Sequence, residues 1–284
     1  FMTLDDTFAL EKAIDKDSNV LIVGAGLIGL KCAEGLHERV KSITVCELAD
    51  RVLSSILDTD CAAIVQRHLE ANGIQFLLGD TAVRFEKNLA QMKSGKTVEF
   101  DALVLAVGVR ANTTLIKDIG GEVNRGIFVN DRMETSLESI YAAGDCTEGT
   151  DISLGQKRVL ALLPNAYMQG HTAGVNMAGG NEVFGKAIPM NSIGFFGLHI
   201  MTAGTYEGEM YEEKSGSTLK RLFTKDGLLK GFILIGKTER AGIYTSLIRE
   251  RTPLDTIDFE TMKKVATSVA FSPENRRKKF GGVV

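Results

Sequence analysis

Apolar and polar positions follow two different periods along the chain. Residues 20–23 form a short β-branched apolar run that reads as a buried strand. Leu30, Ala33 and Leu36 then recur at helical spacing, and residues 42–46 read as the next strand. Ahead of these, Leu4, Phe8, Leu10 and Ile14 predict a helix with Asp6 or Thr7 as its cap. Residues 49–57 form a connection. Ala62, Val65 and Leu69 then mark a helix over residues 61–71, which Asn72-Gly73 should stop. Residues 74–78 predict another strand. Residues 82–85 and 97–100 predict two more around a turn at Ser94-Gly95, and residues 102–107 a buried strand ending in Gly108. Strands alternating with helices predict a parallel, doubly wound α/β sheet, interrupted by an antiparallel excursion between Val83 and Phe100.

A second block begins near Leu115. Residues 127–129 and 140–143 read as short strands, the latter ending in Gly144-Asp145 and a polar loop to Gly155. Residues 160–177 are helical in character, broken at Pro164 and stopped at Gly179-Gly180. From Ala187 the texture changes. Strands are predicted at 194–201, 206–212, 219–224 and 231–235, with turns at Ser215-Gly216 and Asp226-Gly227 and a helix over 238–249. Phe195, Phe196 and Leu198 are expected in the core of this third block or at an interface of it. After Pro273 the chain reads as a frayed end whose basic cluster, residues 276–279, is a solvated terminus.

The chemistry concentrates after the first strand. Gly24, Gly26 and Gly29 have the spacing G-x-G-x-x-G between a strand and a helix. Gly24 permits the tight turn, Gly26 lets a pyrophosphate approach the backbone, and Gly29 lets helix and strand pack closely. The helix N-terminus offers free N–H groups to phosphate oxygens. Glu47 stands where an acid can accept from a ribose diol. Gly24, Ala25, Gly26, Leu27, Ile28, Gly29 and Glu47 therefore predict a dinucleotide site; a glycine turn used only for packing is the alternative. Glu47 would repel a 2′-phosphate, which favours NADH over NADPH, although Arg51 lies close by.

Composition adds bounds. The 284 residues allow about two domains, and 44% hydrophobic residues, 24% charged residues and a net charge of −3 describe an ordinary globular chain. Nothing in that charge favours nucleic acid or a membrane surface, and no apolar run approaches the roughly 20 residues that span a bilayer. Cys32, Cys46, Cys61 and Cys146 are scattered without C-x-x-C or metal spacing, which suggests reduced thiols in the cytoplasm. His37, His68, His171 and His199 lack ligand spacing, so they read as structural and no metal site is expected.

Taken together, three motifs resemble the FAD-dependent pyridine nucleotide-disulphide oxidoreductases, in their NADH:rubredoxin reductase and nitrite-reductase-like branch. They are VLIVGAGLIGLKCAEGL with Glu47, LVLAVGVRAN over residues 103–112, and IYAAGDCTE over residues 140–148. PNAYMQGHTAGVNMAGG, residues 164–180, resembles the helix lying against the isoalloxazine in that family. The resemblance implies a linker helix (1–17), a Rossmann-like NAD-binding domain (18–114) and the C-terminal part of a second, FAD-binding domain (115–185). An α+β domain for dimerisation or the acceptor side (186–272) and a flexible tail (273–284) would follow. It further implies that Ala106, Val107 and Gly108 close the NAD site, with the nicotinamide between Ile28, Gly108 and the flavin. Asp145 would hold the ribityl chain and Gly144 would allow its close approach. Asn165 would orient the flavin edge or cap the helix after Pro164.

Departures from the family qualify this reading. Only one fingerprint occurs, which implies that the N-terminal FAD-binding half is lacking, that the chain is a truncated piece, and that FAD is held weakly or not at all. Lys31 stands where the family often has Glu, as a surface residue or a modulator of hydride transfer, and Ala111 replaces a Pro. The implied activity is hydride transfer from NADH to FAD, then electron transfer to rubredoxin or a nitrite-reducing module, in a homodimer. An NADH oxidase or CoA-disulphide reductase is the alternative within the class; a flavin-free NAD-binding regulatory module is the alternative outside it.

Overall fold

A computed structural model describes residues 1–274 and Arg277, and the chain divides into two compact units. The first comprises Phe1–Val109 and Ile193–His199; the second comprises the remainder.

The first unit begins with α1 (Leu4–Ala13), which buries no residue. Its cap is Thr3, in a reciprocal capping box with Asp6, so neither Asp6 nor Thr7 is the cap. Then come β1 (Asn19–Val23), α2 (Leu27–Leu36), β2 (Ser42–Glu47), α3 (Thr59–Ala71) and β3 (Ile74–Leu78). β4 (Ala82–Glu86), β5 (Leu89–Met92) and β6 (Thr97–Glu99) form an antiparallel sheet before β7 (Ala102–Leu105). β3, β2, β1 and β7 pair in that order, all parallel. The central strand is buried from Val20 onward, as a strand covered on both faces should be. Glu47 is the last residue of β2 rather than the residue after it.

In the first unit, the antiparallel strand β5 was not predicted. Only four residues long, with Ala and Gln among them, it offers little β propensity. Tertiary packing supports it instead: Ala90 and Met92 join Leu21, Val23, Cys46 and Phe100 in one buried cluster on the parallel sheet.

The second unit contains α4 (Thr114–Lys117), β8 (Ile127–Phe128), β9 (Thr147–Asp151), β10 (Gln156–Val159) and α5 (Leu163–Met177). β9 lies between β8, to which it is parallel, and β10, to which it is antiparallel. Two expectations fail here. Residues 140–143 are no strand: their ladder is a single bridge between Tyr141 and Glu134, reached through a turn with Ser139 at φ 61°. The strand β9 follows Gly144-Asp145 instead, and neither it nor β10 is an apolar run, so neither could be read from hydrophobicity. Nor does Pro164 break a helix. It lies in the first turn of α5, where its missing N–H costs no hydrogen bond.

β11 (Met190–Phe195), β12 (Leu198–Gly204), β13 (Glu209–Ser215), β14 (Thr218–Lys225) and β15 (Leu228–Ile235) form a sheet ordered β11-β12-β15-β14-β13. α6 (Ala241–Arg249) and α7 (Phe259–Lys264) add Tyr244, Leu247, Ile248 and Met262 to its core cluster. The predicted strand 194–201 is two strands joined at Phe196 (φ 46°) and Gly197 (φ 80°). Asp226 (φ 55°) and Gly227 (φ 68°) make the same kind of tight turn, which the Asp-Gly pair announced and Phe-Gly did not. β13 starts later than expected because Gly208, at φ 98°, turns the chain; a Cβ there would lie 2.2 Å from the Thr224 carbonyl oxygen. α6 starts at Ala241 because Arg240 is left-handed, at φ 62°. Phe195 and Leu198 are buried and Phe196 half-buried. Most of the predicted tail, residues 275, 276 and 278–284, lies outside the described residues.

Candidate dinucleotide-binding site

The three glycines of the first turn have different physical reasons. Gly24 is at φ 109°, and a Cβ on it would lie 2.3 Å from the Ala106 carbonyl oxygen. A Cβ on Gly29 would lie 2.1 Å from the Gly24 carbonyl oxygen. Both are therefore demanded by packing between β1, α2 and the end of β7. Gly26 is not. Its φ is an ordinary −82°, and a Cβ on it would meet nothing within 4 Å. It is the N-cap of α2, and no side chain caps the helix there. Unpaired first-turn amides with open space before them are what an anion needs. The packing-only alternative accounts for Gly24 and Gly29 but leaves Gly26 unexplained.

Glu47 stands beside this turn. Its carboxylate accepts from Ala25 N–H at 2.8 Å and Ala49 N–H at 2.9 Å, which fixes it at the edge of the loop with lone pairs to spare. Arg51 is engaged locally: Nε donates to the Leu57 carbonyl oxygen at 3.2 Å, and Nη1 pairs with Asp50 at 2.7 Å. Ala25 is buried, Leu27 half-buried and Ile28 exposed. Ala106 donates to the Val23 carbonyl oxygen at 2.8 Å, and Val107 and Gly108 (φ 100°) are exposed just beyond β7. The structure thus gathers Gly24 to Gly29, Glu47 and Ala106 at the C-terminal edge of the parallel sheet.

Lys31 lies on the solvent side of α2, paired with Glu34, donating to the Gly194 carbonyl oxygen at 3.1 Å and over the Phe195 ring. Burial pushes the Glu34 carboxyl up, but hydrogen bonds from Lys31 and from Phe196 N–H, the latter at 2.6 Å, hold it below the usual glutamate range. His68, read as merely structural, has Nε2 at 3.0 and 3.2 Å from the carbonyl oxygens of Phe195 and Phe196. No sequence signal pointed to that anchoring. Cys32, half-buried, has its thiol pushed up to about 11 by desolvation, which makes it a poor nucleophile.

The remaining candidates lie in the second unit. Gly144 (φ 90°) donates its N–H to Gln169 Oε1 at 2.8 Å, and the same oxygen accepts from Thr147 Oγ1 at 3.1 Å. Asp145 is exposed in the turn leading into β9. Asn165 is fully buried inside α5, not a cap; Leu162 is the N-cap, without a side-chain bond. Asn165 Nδ2 donates to the Ile188 carbonyl oxygen at 3.3 Å, and Oδ1 is buried without a partner. Gln169 is the residue missed. It follows Asn165 by one helical turn, and Thr172 and Asn176 continue a polar stripe that could have identified the buried face of α5. The opposite face carries exposed Leu163, Tyr167 and Met177.

Among the described residues no group of His, Cys, Asp or Glu could hold a metal ion, and no helix is long and apolar enough to cross a membrane.

A parallel α/β sheet with a glycine turn, an open helix N-terminus and an acid ending the second strand defines a Rossmann-like dinucleotide-binding fold. The chain belongs to the pyridine nucleotide-disulphide oxidoreductase family, whose sequence profile matches residues 1–170. It is 33% identical over 265 residues to the NADH-dependent phenylglyoxylate dehydrogenase subunit epsilon of Aromatoleum evansii, covering 89% of this chain and 63% of that one. It is 40% identical over 183 residues to an NADH oxidase of Methanocaldococcus jannaschii, covering 62% of this chain and 41% of that one. The chain therefore spans less than two thirds of either relative. The crystal structure of a FAD-dependent pyridine nucleotide-disulphide oxidoreductase from Desulfovibrio vulgaris superposes with a TM-score of 0.81 at 25% identity, covering 95% of this chain and 75% of that one.

Proposed function

We propose that this chain binds NADH at the α2 turn and serves in hydride transfer between NADH and FAD, with electrons exchanged onward with an acceptor protein or module. The observation that carries the reading is Gly26, a glycine that packing does not require, at an uncapped helix N-terminus. The first-turn amides of α2 hold the pyrophosphate, and Glu47 accepts from the adenosine ribose diol. With Arg51 paired to Asp50 and Glu47 bearing negative charge, a 2′-phosphate finds repulsion and no free partner, which favours NADH over NADPH. Leu27, Ile28, Ala106, Val107 and Gly108 form the apolar side of the site, against which the nicotinamide is oriented.

FAD, where bound, supplies the hydride chemistry. Residues of the second unit suit parts of it: Asp145 is an exposed acceptor for ribityl hydroxyls, Gly144 permits close approach, and the outward apolar face of α5 suits a flat ring. The buried, unpartnered Asn165 Oδ1 is a further polar group for which a flavin edge is a candidate partner. Lys31, neutralised by Glu34, acts on hydride transfer only weakly. The acceptor is a rubredoxin-like carrier or a nitrite-reducing module, the sheet from β11 to β15 serves the dimer or acceptor side, and the protein works in the cytoplasm. The NADH oxidase among its relatives favours a second reading, with oxygen as the acceptor.

The test is an absorbance spectrum of the purified chain with and without added FAD, followed by NADH. A flavin band that appears only on adding FAD, as weak retention requires, and that NADH then bleaches is the expected result. A colourless sample that still binds NADH limits the chain to its dinucleotide role, and a folded sample that binds neither overturns the proposal.

A further inference from the structure

A cavity of about 430 Å³ opens in the second unit between β13, β14, the loop into α6 and the residues after α7. Four cations line it, Lys220, Lys237, Arg240 and Lys264, against two carboxylates, Glu213 and Glu239. That is a concentration of positive charge in a chain whose net charge is −3. Lys220 is fully engaged: its ammonium donates to the carbonyl oxygens of Lys263 and Lys264, both at 2.8 Å, and pairs with Glu213 at 2.7 Å. Among the described residues, Lys237 and Lys264 have no ion pair, and both are exposed. Arg240 Nη1 donates only to the Ala266 carbonyl oxygen, at 3.4 Å.

The rest of the wall is mixed: Leu219, Leu234, the Tyr244 ring and Val265 are apolar, and Ser215 and Thr218 add hydroxyls. α6 begins at the cavity without a side-chain cap, and a Cβ on Gly242 in its first turn would meet nothing within 4 Å. We infer that this cavity binds a small organic phosphate, its phosphate oxygens among Lys237, Arg240 and Lys264 and its apolar body against Leu234 and Val265. Four cations against two carboxylates, Lys220 and Lys237 both acting on Glu213, leave an excess of positive charge that favours a multiply charged anion over a lone carboxylate, and lysine is a good point-charge partner for phosphate. The volume falls in the range of small-molecule sites, and the apolar wall gives an organic body something that a bare ion would not use. None of these residues takes part in the proposed NADH site.

The test is calorimetric titration of the full chain with inorganic pyrophosphate and with ADP, in saturating NADH so that the α2 turn is filled. The expected result is binding that weakens with added salt, with ADP tighter than pyrophosphate. The double variant K237E/K264E should lose at least about tenfold in affinity, with its NADH affinity unchanged. Both positions are exposed, and the neutral pair K237Q/K264Q gives the same comparison if charge reversal disturbs folding. No heat with the native chain, or equal binding by native and substituted chains, overturns the inference. ADP binding more weakly than pyrophosphate overturns its organic part. Pyrophosphate binding lost in Gly26→Ala but kept in K237E/K264E places the anion at the α2 turn and overturns it as well.

Discussion

Helix α2 follows a glycine turn and α5 follows the strand β10 with no glycine between, and the two helices bury opposite kinds of side chain. α2 buries Gly29, Leu30, Ala33 and Leu36 and turns Lys31 and Glu34 outward. α5 buries Asn165, Gln169, Thr172 and Asn176 beside a single small apolar residue, Ala173, and turns Leu163, Tyr167 and Met177 outward. The first is the ordinary arrangement of a helix on a sheet, stabilised by apolar burial. In the second, the buried side is fixed by directed hydrogen bonds, such as Gln169 to Gly144 and Asn176 Nδ2 to the carbonyl oxygens of Arg132 and Glu182, both at 2.9 Å. α5 gives Ala173 and Met168 to its core cluster but leaves the larger Leu163, Tyr167 and Met177 free for something else, whereas α2 offers its N-terminus.

The contrast can be broken by substitution. Leu30→Ala should cost about 2–5 kcal/mol in urea unfolding, since Leu30 is fully buried and its removal leaves a cavity. Gln169→Leu, apolar and of similar size, should still cost about 1–3 kcal/mol, because the Gly144 N–H loses its partner. A neutral or stabilising result would show that the α5 stripe is not what fixes that side of the helix. The outer faces differ too. Glu34, held below the usual glutamate range, contributes stability that is complete above that range and is lost as the pH falls through its lowered folded value. Glu34→Gln should therefore flatten the fall in urea midpoint between about pH 7 and about pH 3; an unchanged fall would assign it to other carboxylates. The smallest effect should come from Tyr167→Ser on the outer face of α5, within about 0.5 kcal/mol in the isolated chain. A loss well beyond that would mean that the face is packed.

The same contrast explains what could be read in advance. The parallel sheet, α2 and α3 were legible because buried β-branched runs and helical apolar spacing coincide with glycine and asparagine stops, as at Asn72-Gly73. β9, with the sequence TEGTD, was not, because its pairing is paid in backbone hydrogen bonds and leaves no apolar period. The Phe196-Gly197 turn was hidden by an apolar residue in a left-handed position that Asn or Asp usually marks. Spacing alone singled out Gly24, Gly26, Gly29 and Glu47, but only the three-dimensional approach of the Ala106 and Gly24 carbonyl oxygens separates the two glycines that packing demands from the one it does not. Gln169 went unread because a polar residue in a helix suggests an exposed face, and here the rule is reversed.

The most direct test is a fluorescence titration of NADH into the native chain and into Gly26→Ala, with urea unfolding of each. A methyl group at Gly26 meets nothing in the fold, so the unfolding midpoints should agree, while NADH affinity should fall by at least about tenfold, some 1.4 kcal/mol. Equal affinity in the two proteins, or no NADH binding by the folded native chain, would contradict the assignment of the α2 turn as the dinucleotide site.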